Sequence, residues 1–505
     1  LAVVVAAFAG AVLGQEGNLQ PKVDLVEVGK LVHGSISMDK GSPWCPAGQR
    51  MVWLVGHDRD EHPRCEVSPG LWEENRMATL PLEADSKNNI DDKIIDRHDC
   101  KTIYADSDDK PDVVCAVGAN KGKGVGYHEL LLTQPDGSLK KVLNHGLHKY
   151  NTMRTRMMNV LRGPDGTQLV FVSTRGIPRE DGNPNIHRMF RVTRGRAPYF
   201  TEILHANGDP WLQNTVATSV KIGDINGDGL DDIIVTNEKD VAMMFIQNRR
   251  GGVFTQINTS GSENWRSVRI ADLNGDGSSD LVVTKGYRHN RNKPWLVQVF
   301  KGTGTAPYYF NFKRPIYELE LPYPSADVEV LDVNGDGRMD LYVVQADEAT
   351  DNYCGNAVGS PFDPEFWYGT EGFPEPGFVA PDDEAPDLLL MGQQEFFKYE
   401  IVEMEHKVPG CGFLAWKYGN DHTMILSHGE IARAGNNVVL TWPASLALET
   451  DLLVEDSEAP SGVPSLVPSS APSGMPSLVP SNVPSGVPSL APSSAPSDVP
   501  SLAPS

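Results

Sequence analysis

A nine-residue acidic loop recurs three times between short apolar runs, as Asp224-Ile-Asn-Gly-Asp-Gly-Leu-Asp-Asp232, Asp272-Leu-Asn-Gly-Asp-Gly-Ser-Ser-Asp280 and Asp332-Val-Asn-Gly-Asp-Gly-Arg-Met-Asp340. Oxygen donors fall at positions 1, 3, 5 and 9: Asp224, Asn226, Asp228 and Asp232, then Asp272, Asn274, Asp276 and Asp280, then Asp332, Asn334, Asp336 and Asp340. Position 7, which is Leu230, Ser278 or Arg338, offers its carbonyl, and the Gly at position 6 permits a sharp turn. Short loops of this composition wrap a hard cation such as calcium. Three copies in register imply about three Ca2+ sites.

The flanks select strands. Val220 and Ile222, Val268 and Ile270, and Val328 and Val330 alternate ahead of the loops. Ile233-Ile-Val235, Leu281-Val-Val283 and Leu341-Tyr-Val-Val344 follow them. Such short β-branched runs bounded by turns read as hairpins. An EF-hand needs flanking helices and a Glu at position 12, where this chain has Val235, Val283 and Val343. A third strand follows at Ala242–Gln247 and Trp295–Phe300.

The loop starts lie 48 and 60 residues apart, a period belonging to solenoids and propellers. On these loops and strands the chain resembles the FG-GAP/VCBS repeat family, the calcium-loop β-propellers that include the integrin alpha head. Weaker copies extend the resemblance. Asp106 to Asp112 keeps an acidic loop two residues short, Gly163-Pro-Asp-Gly166 precedes a strand at Leu169–Val172, and Asp382 to Asp387 precedes Leu388–Met391. Six units result, and Met51-Val-Trp-Leu-Val55 fits a seventh. The expected fold is therefore all-β: a six- or seven-bladed β-propeller with calcium-binding hairpin loops, followed by a disordered Pro/Ser-rich stalk. The propeller is placed at 15–445, with an irregular N-terminal part at 15–94, the best repeats at 212–345 and a C-terminal β element at 396–445. Strands from Pro409 to Trp442 either close the ring or form an appended element.

Residues 1–14 are apolar and too few to span a bilayer; they read as part of a secretory signal peptide, or else as a buried strand or helix. Six cysteines suit disulfides, with Cys45/Cys65, Cys100/Cys115 and Cys354/Cys411 the local pairings expected among fifteen possibilities. Asn258-Thr-Ser260 is a glycosylation sequon. From Pro460 to Pro504 Pro returns at every fourth position in Pro-Ser-x-x repeats, resembling tracts on secreted proteins of diatoms and related algae. This composition favours polyproline II, so 446–505 is read as an acidic linker and stalk, or a plain disordered spacer.

A net charge of −23 argues against nucleic acid and anionic membrane surfaces as partners, and no direct membrane insertion is expected. His57, Asp58, Asp60, Glu61 and His62 crowd one segment, a solvated turn or a transition-metal site. Gly122-Lys-Gly-Val-Gly126 lacks the spacing of a phosphate loop and reads as a blade turn. Arg175, Arg179 and Arg188 share a polar stretch with Asn185 and His187, which either grips an anionic ligand or satisfies neighbouring turns.

The family resemblance implies a secreted or cell-surface binding or adhesion module, associated with the cell surface or wall, for an extracellular glycan or protein ligand. No hydrolase elbow, zincin motif or P-loop is present, so no enzyme is expected. The alternatives are a polysaccharide-acting or phospholipase-like enzyme on a propeller scaffold, and a passive wall-structural protein.

Overall fold

The computed structural model describes residues 19–442 apart from connecting segments, the longest being 81–94, 118–127, 175–185, 286–293 and 346–385. Cys354, Cys411, Asn258, Gly122–Gly126, the N-terminal apolar stretch and the Pro/Ser repeats lie outside the described residues.

Strand β1 (Lys22–Val28) belongs to a different sheet from the blade that follows it. Blade 1 is β2 (Val32–Met38), β3 (Met51–Asp58), β4 (Arg64–Ser68) and β5 (Leu71–Glu74). Blade 2 is β6 (Ile95–Ile103), β7 (Asp112–Val117), β8 (Glu129–Thr133) and β9 (Leu139–Lys141). Blade 3 is β10 (Thr155–Arg162), β11 (Gln168–Thr174), β12 (Ile186–Val192) and β13 (Phe200–Ile203), with β14 (Leu212–Gln213) on β12. Blade 4 follows as β15 (Ser219–Gly223), β16 (Asp232–Thr236), β17 (Met243–Gln247) and β18 (Phe254–Ile257). Blade 5 is β19 (Trp265–Ala271), β20 (Asp280–Lys285), β21 (Leu296–Phe300) and β22 (Tyr317–Glu320). Blade 6 is β23 (Ser325–Leu331), β24 (Asp340–Gln345), β25 (Leu388–Gly392) and β26 (Tyr399–Glu403). Blade 7 takes β27 (Gly412–Lys417), β28 (Thr423–His428) and β29 (Asn436–Thr441), and β1 completes it by pairing antiparallel with β29.

The first strands β2, β6, β10, β15, β19, β23 and β27 pack in succession around the ring, and β1 meets β5 across the seam. Seven apolar clusters among the described residues fill the seven gaps between neighbouring blades. Between blades 3 and 4, for example, Leu161, Phe171 and Met189 meet Trp211, Val220 and Val235. The seam between blades 7 and 1 holds the smallest set, Val26, Val52, Leu54, Trp72, Ile425 and Val439. Backbone pairing of β1 supplements that thin core. This is a seven-bladed all-β propeller.

Two expectations change, and one of two open alternatives is selected. The strand after Asp382–Asp387 starts no blade of its own: β25 pairs with β24 and is the third strand of blade 6. The stretch at 15–94 holds a whole blade and the closing strand. Of the strands from Pro409 onward, β27 to β29 close the ring. The disulfides Cys45–Cys65 and Cys100–Cys115 are both formed; the second joins directly opposed residues of β6 and β7 with Cα atoms 4.1 Å apart.

In blade 6 the buried Asp387 accepts the Gln345 N–H at 2.9 Å and the Tyr342 hydroxyl at 2.8 Å. Burial raises its pKa to about 7, against the opposing pull of those hydrogen bonds. A carboxyl raised in the folded state contributes stability that is complete below its unfolded pKa and lost as pH rises through the folded value. Urea midpoints are expected to fall between pH 5 and pH 8, and Asp387→Asn to flatten that fall. At the seam, Ile425→Ala should cost about 2–5 kcal/mol in the same urea titration; a loss under 1 kcal/mol would show that the seam core is not needed for closure.

Candidate metal centre

Each nine-residue loop joins the first and second strands of its blade: Asp224–Asp232 lies between β15 and β16, Asp272–Asp280 between β19 and β20, and Asp332–Asp340 between β23 and β24. Position 9 opens the second strand and is fully buried in all three copies. Its carboxylate clamps two backbone amides. Asp232 takes Ile225 N–H at 2.8 Å and Gln247 N–H at 2.7 Å, Asp280 takes Leu273 at 3.0 Å and Gly302 at 2.7 Å, and Asp340 takes Val333 at 2.9 Å and Gly392 at 2.7 Å. One donor is the loop's own position 2, and the other ends or follows the third strand.

Position 1 folds the tip. Asp224 accepts Gly227, Asp228 and Gly229 N–H at 2.8, 3.1 and 2.7 Å, and Asp332 accepts Gly335, Asp336 and Gly337 at 2.8, 3.1 and 2.9 Å. Asp272 accepts Asp276 at 3.2 Å and Gly277 at 2.8 Å. Positions 4 and 6 both have positive φ, for instance 74° at Gly227 and 85° at Gly229, which is why both are Gly. The position-3 amides Asn226, Asn274 and Asn334 reach the position-5 carboxylates Asp228, Asp276 and Asp336 at 3.2, 3.0 and 2.8 Å. At position 7 the N–H groups of Leu230, Ser278 and Arg338 donate to those same carboxylates at 2.9, 2.9 and 2.8 Å.

The structure adds a fourth loop. Ala105 N–H donates to Asp112 at 2.9 Å and Thr133 N–H at 2.9 Å, reproducing the position-9 clamp. Asp108 N–H to Asp106 at 3.0 Å and Lys110 N–H to Asp108 at 3.0 Å match positions 3, 5 and 7. This loop is therefore nine residues long, with Tyr104 at position 1, and not two residues short. The identifying signal was the seven-residue step from an apolar position 2 to the strand-opening Asp, shared by Ala105/Asp112 and Ile225/Asp232. Ser107 and Asp109 replace the glycines, and neither has positive φ.

Neighbouring loops touch. Asp231 binds Arg162 of blade 3 through the backbone N–H at 2.5 Å and the guanidinium at 3.0 Å, and Ser279 Oγ donates to Asp224 O at 2.5 Å. Arg194, from the turn after β12, holds the Asp106 and Asp108 carbonyls at 2.8 and 2.5 Å and Asp109 at 2.8 Å.

Electrostatics separate the three full copies. Lys301 Nζ lies 3.0 Å from Asp276, and this contact, ahead of the Ser278 amide, draws Asp276 down to about 2. Arg338 pairs with Asp336 in the third loop. Among the described residues Asp228 has no Lys or Arg partner, although Tyr309 of blade 5 hydrogen-bonds the adjacent Asn226. Burial, and then the loops' own carboxylates against the backbone clamps, raises Asp232 to about 7, Asp280 to about 6 and Asp340 to about 7.

The donor set is all oxygen and suits a hard cation. No group of three or more His, Cys, Asp and Glu side chains placed to share an ion occurs among the described residues. Position 9 is turned to its amides, and Asn fills one donor position. Of the other candidates, the side chains of His57, Asp58, Asp60 and Asn185 lie outside the described residues. Glu61 pairs with buried Arg97 at 3.2 Å, Arg97 also binds Glu129 at 2.7 Å, and His62 meets Thr79 at 3.1 Å. Arg188 pairs with Glu202 within blade 3, while Arg175 and Arg179 lie outside the described residues.

Asp112→Ala is expected to lower stability by at least about 2 kcal/mol, because buried N–H donors lose their acceptor. A loss below about 0.5 kcal/mol in urea unfolding would mean that water replaces the carboxylate.

Residues 224–283, spanning the first two loops and the strands between them, match the FG-GAP-like repeat family. No curated protein matches the chain. The crystal structure of BBS1N in complex with ARL6DN, soaked with lead, aligns at a TM-score of 0.45 and 11% identity, over 84% of this chain and 97% of that one. The mercury-soaked crystal gives 0.44 and 10%, over 84% and 96%. The Dos1 propeller gives 0.40 and 9%, over 77% and 75%. The chain thus carries an FG-GAP-like repeat, set at residues 224–283 within a seven-bladed propeller.

Proposed function

We propose that this protein is a calcium-stabilised propeller that serves as an extracellular binding or adhesion module for a protein or glycan ligand. The observation that carries this reading is the set of registered all-oxygen loops in blades 4, 5 and 6, of which two neighbours are joined by Ser279 and Asp224. Calcium here is structural. It would be held by positions 1, 3 and 5 with the position-7 carbonyl, position 9 joining only through the lone pairs that its two backbone amides leave free, and it offsets repulsion between carboxylates confined to one tight turn. Two disulfides suit an oxidising compartment. No helix among the described residues is long and apolar enough to cross a membrane.

The loops differ in strength. Asp228 offers its charge to an ion without a competing side-chain cation among the described residues, whereas Lys301 and Arg338 must yield Asp276 and Asp336. The first loop therefore fills first.

Chelation by EDTA is expected to lower the melting temperature, and calcium to restore it by mass action. In calorimetric titration, Asp228→Ala should remove the tightest site while Asp276→Ala removes a weaker one. An unchanged melting temperature in EDTA sinks the calcium reading. Capture of wall polysaccharides or proteins by the calcium-loaded chain, compared with EDTA, tests the binding role: saturable capture without turnover supports it, and turnover of a bound polysaccharide overturns it in favour of an enzyme.

A further inference from the structure

The blade 2 loop departs from the other three at its tip. Tyr104 stands at position 1, so no carboxylate there gathers the tip amides as Asp224, Asp272 and Asp332 do. Positions 4 and 6 are Ser107 and Asp109, and neither takes the positive φ of the glycines they replace. The φ angle of a residue sets how the peptide plane before it is turned. These two positions therefore aim the carbonyls of positions 3 and 5, which belong to Asp106 and Asp108.

A cation from the next blade takes both carbonyls. Arg194 lies in the turn between β12 and β13; its Nε donates to Asp106 O at 2.8 Å and its Nη2 to Asp108 O at 2.5 Å. The same Nη2 lies 2.8 Å from the Asp109 carboxylate. The guanidinium carbon stands 6.0 Å from the centre of the Tyr104 ring, within cation–π range. Beside it, Gly195 N–H donates to Ala105 O at 2.7 Å. One turn of blade 3 thus touches loop positions 1, 2, 3, 5 and 6. Lys110, the loop's own cation, is directed away to Gln134 O at 3.1 Å.

We propose that Arg194 is the resident cation of the blade 2 loop, and that this loop takes no metal ion. A guanidinium is planar, permanently charged and rich in donors, so it bridges two carbonyls and a carboxylate at once. The pair with fully exposed Asp109 adds little in water, and the two carbonyl bonds do the holding. An arriving divalent ion would meet a tyrosine where the other loops have a carboxylate, and a fixed positive charge over the tip. In blades 5 and 6, by contrast, Lys301 and Arg338 each meet only one carboxylate of the loop, and position 1 stays acidic. The junction of the blade 2 loop with blade 3 is then indifferent to calcium. That blades 4 to 6 are not indifferent rests on the calcium reading above.

Hydrogen exchange of the full chain, read by peptide mass spectrometry in calcium and in EDTA, tests this. In the unmutated protein 104–112 should exchange at one rate in both buffers, while 224–232 should exchange about tenfold faster in EDTA. Arg194→Gln, which keeps a donor but not the charge, should speed 104–112 about tenfold in both buffers. Arg194→Lys keeps the charge and should speed it only about threefold. Arg194 is 48% exposed, so neither change opens a cavity in the core. Indifference of 224–232 to EDTA would overturn the calcium reading but not the arginine's role, which the two variants then decide. The proposal is overturned if EDTA speeds 104–112 in the unmutated protein, if Arg194→Gln leaves that exchange unchanged, or if Arg194→Lys exchanges as fast as Arg194→Gln.

Discussion

A buried carboxylate that opens the second strand governs the geometry of four blades. Asp112, Asp232, Asp280 and Asp340 each tie the start of their own hairpin to the end of the third strand. Three strands are thereby locked at one end by a single side chain. A carboxylate suits the role because its two oxygens accept from two separate backbone amides, and buried amides left unpaired are expensive. The loop above it is then free to vary. Tyr104 and Asp109 stand in the blade 2 copy where Asp224 and Gly229 stand in blade 4, yet the clamp is unchanged.

Cohesion between blades is divided by depth. Apolar clusters fill each gap, as Trp265, Phe300 and Phe312 do beside blade 4. Toward one end, polar pins such as Asp231 to Arg162 join loop to loop. On the first strands, paired charges replace hydrocarbon. Arg269 with Asp327 and Glu329 links blade 5 to blade 6, and the ion pairs are held by fully directed hydrogen bonds. A buried pair of this kind contributes little net stability but is costly to break, so it favours one neighbour and one register.

Much of this was legible in the sequence wherever the repeat was intact. The three full loops and their flanking strands follow from local pattern, whereas Cys45–Cys65 and Cys100–Cys115 are two of the many pairings that six cysteines allow, and the structure selects them. The fourth loop escaped because its most visible residues, Asp106 and Asp108, are positions 3 and 5, while position 1 had become Tyr104. From sequence alone the third strand of blade 6 reads as the start of a repeat, because a long stretch of chain separates β24 from β25. Arg269 carries no motif. It aligns with Asp327 and Glu329 only once the strand register is known, since they lie on another blade.

The pairing of β1 with β29 has a consequence in time. Trp442 Nε1 donates to Leu19 O at 2.9 Å across 423 residues of chain, so the strand that begins the described fold is completed by the one that ends it. At ribosomal speeds of about 5–20 residues per second, that interval is on the order of 20–85 s. Throughout it, a strand carrying Val23, Leu25 and Val26 exists without the sheet that later covers its edge. The blades between are built from contacts within and beside each repeat and have no such delay. Closure is therefore the step at which a growing chain is most open to capture by a chaperone or by the wrong edge.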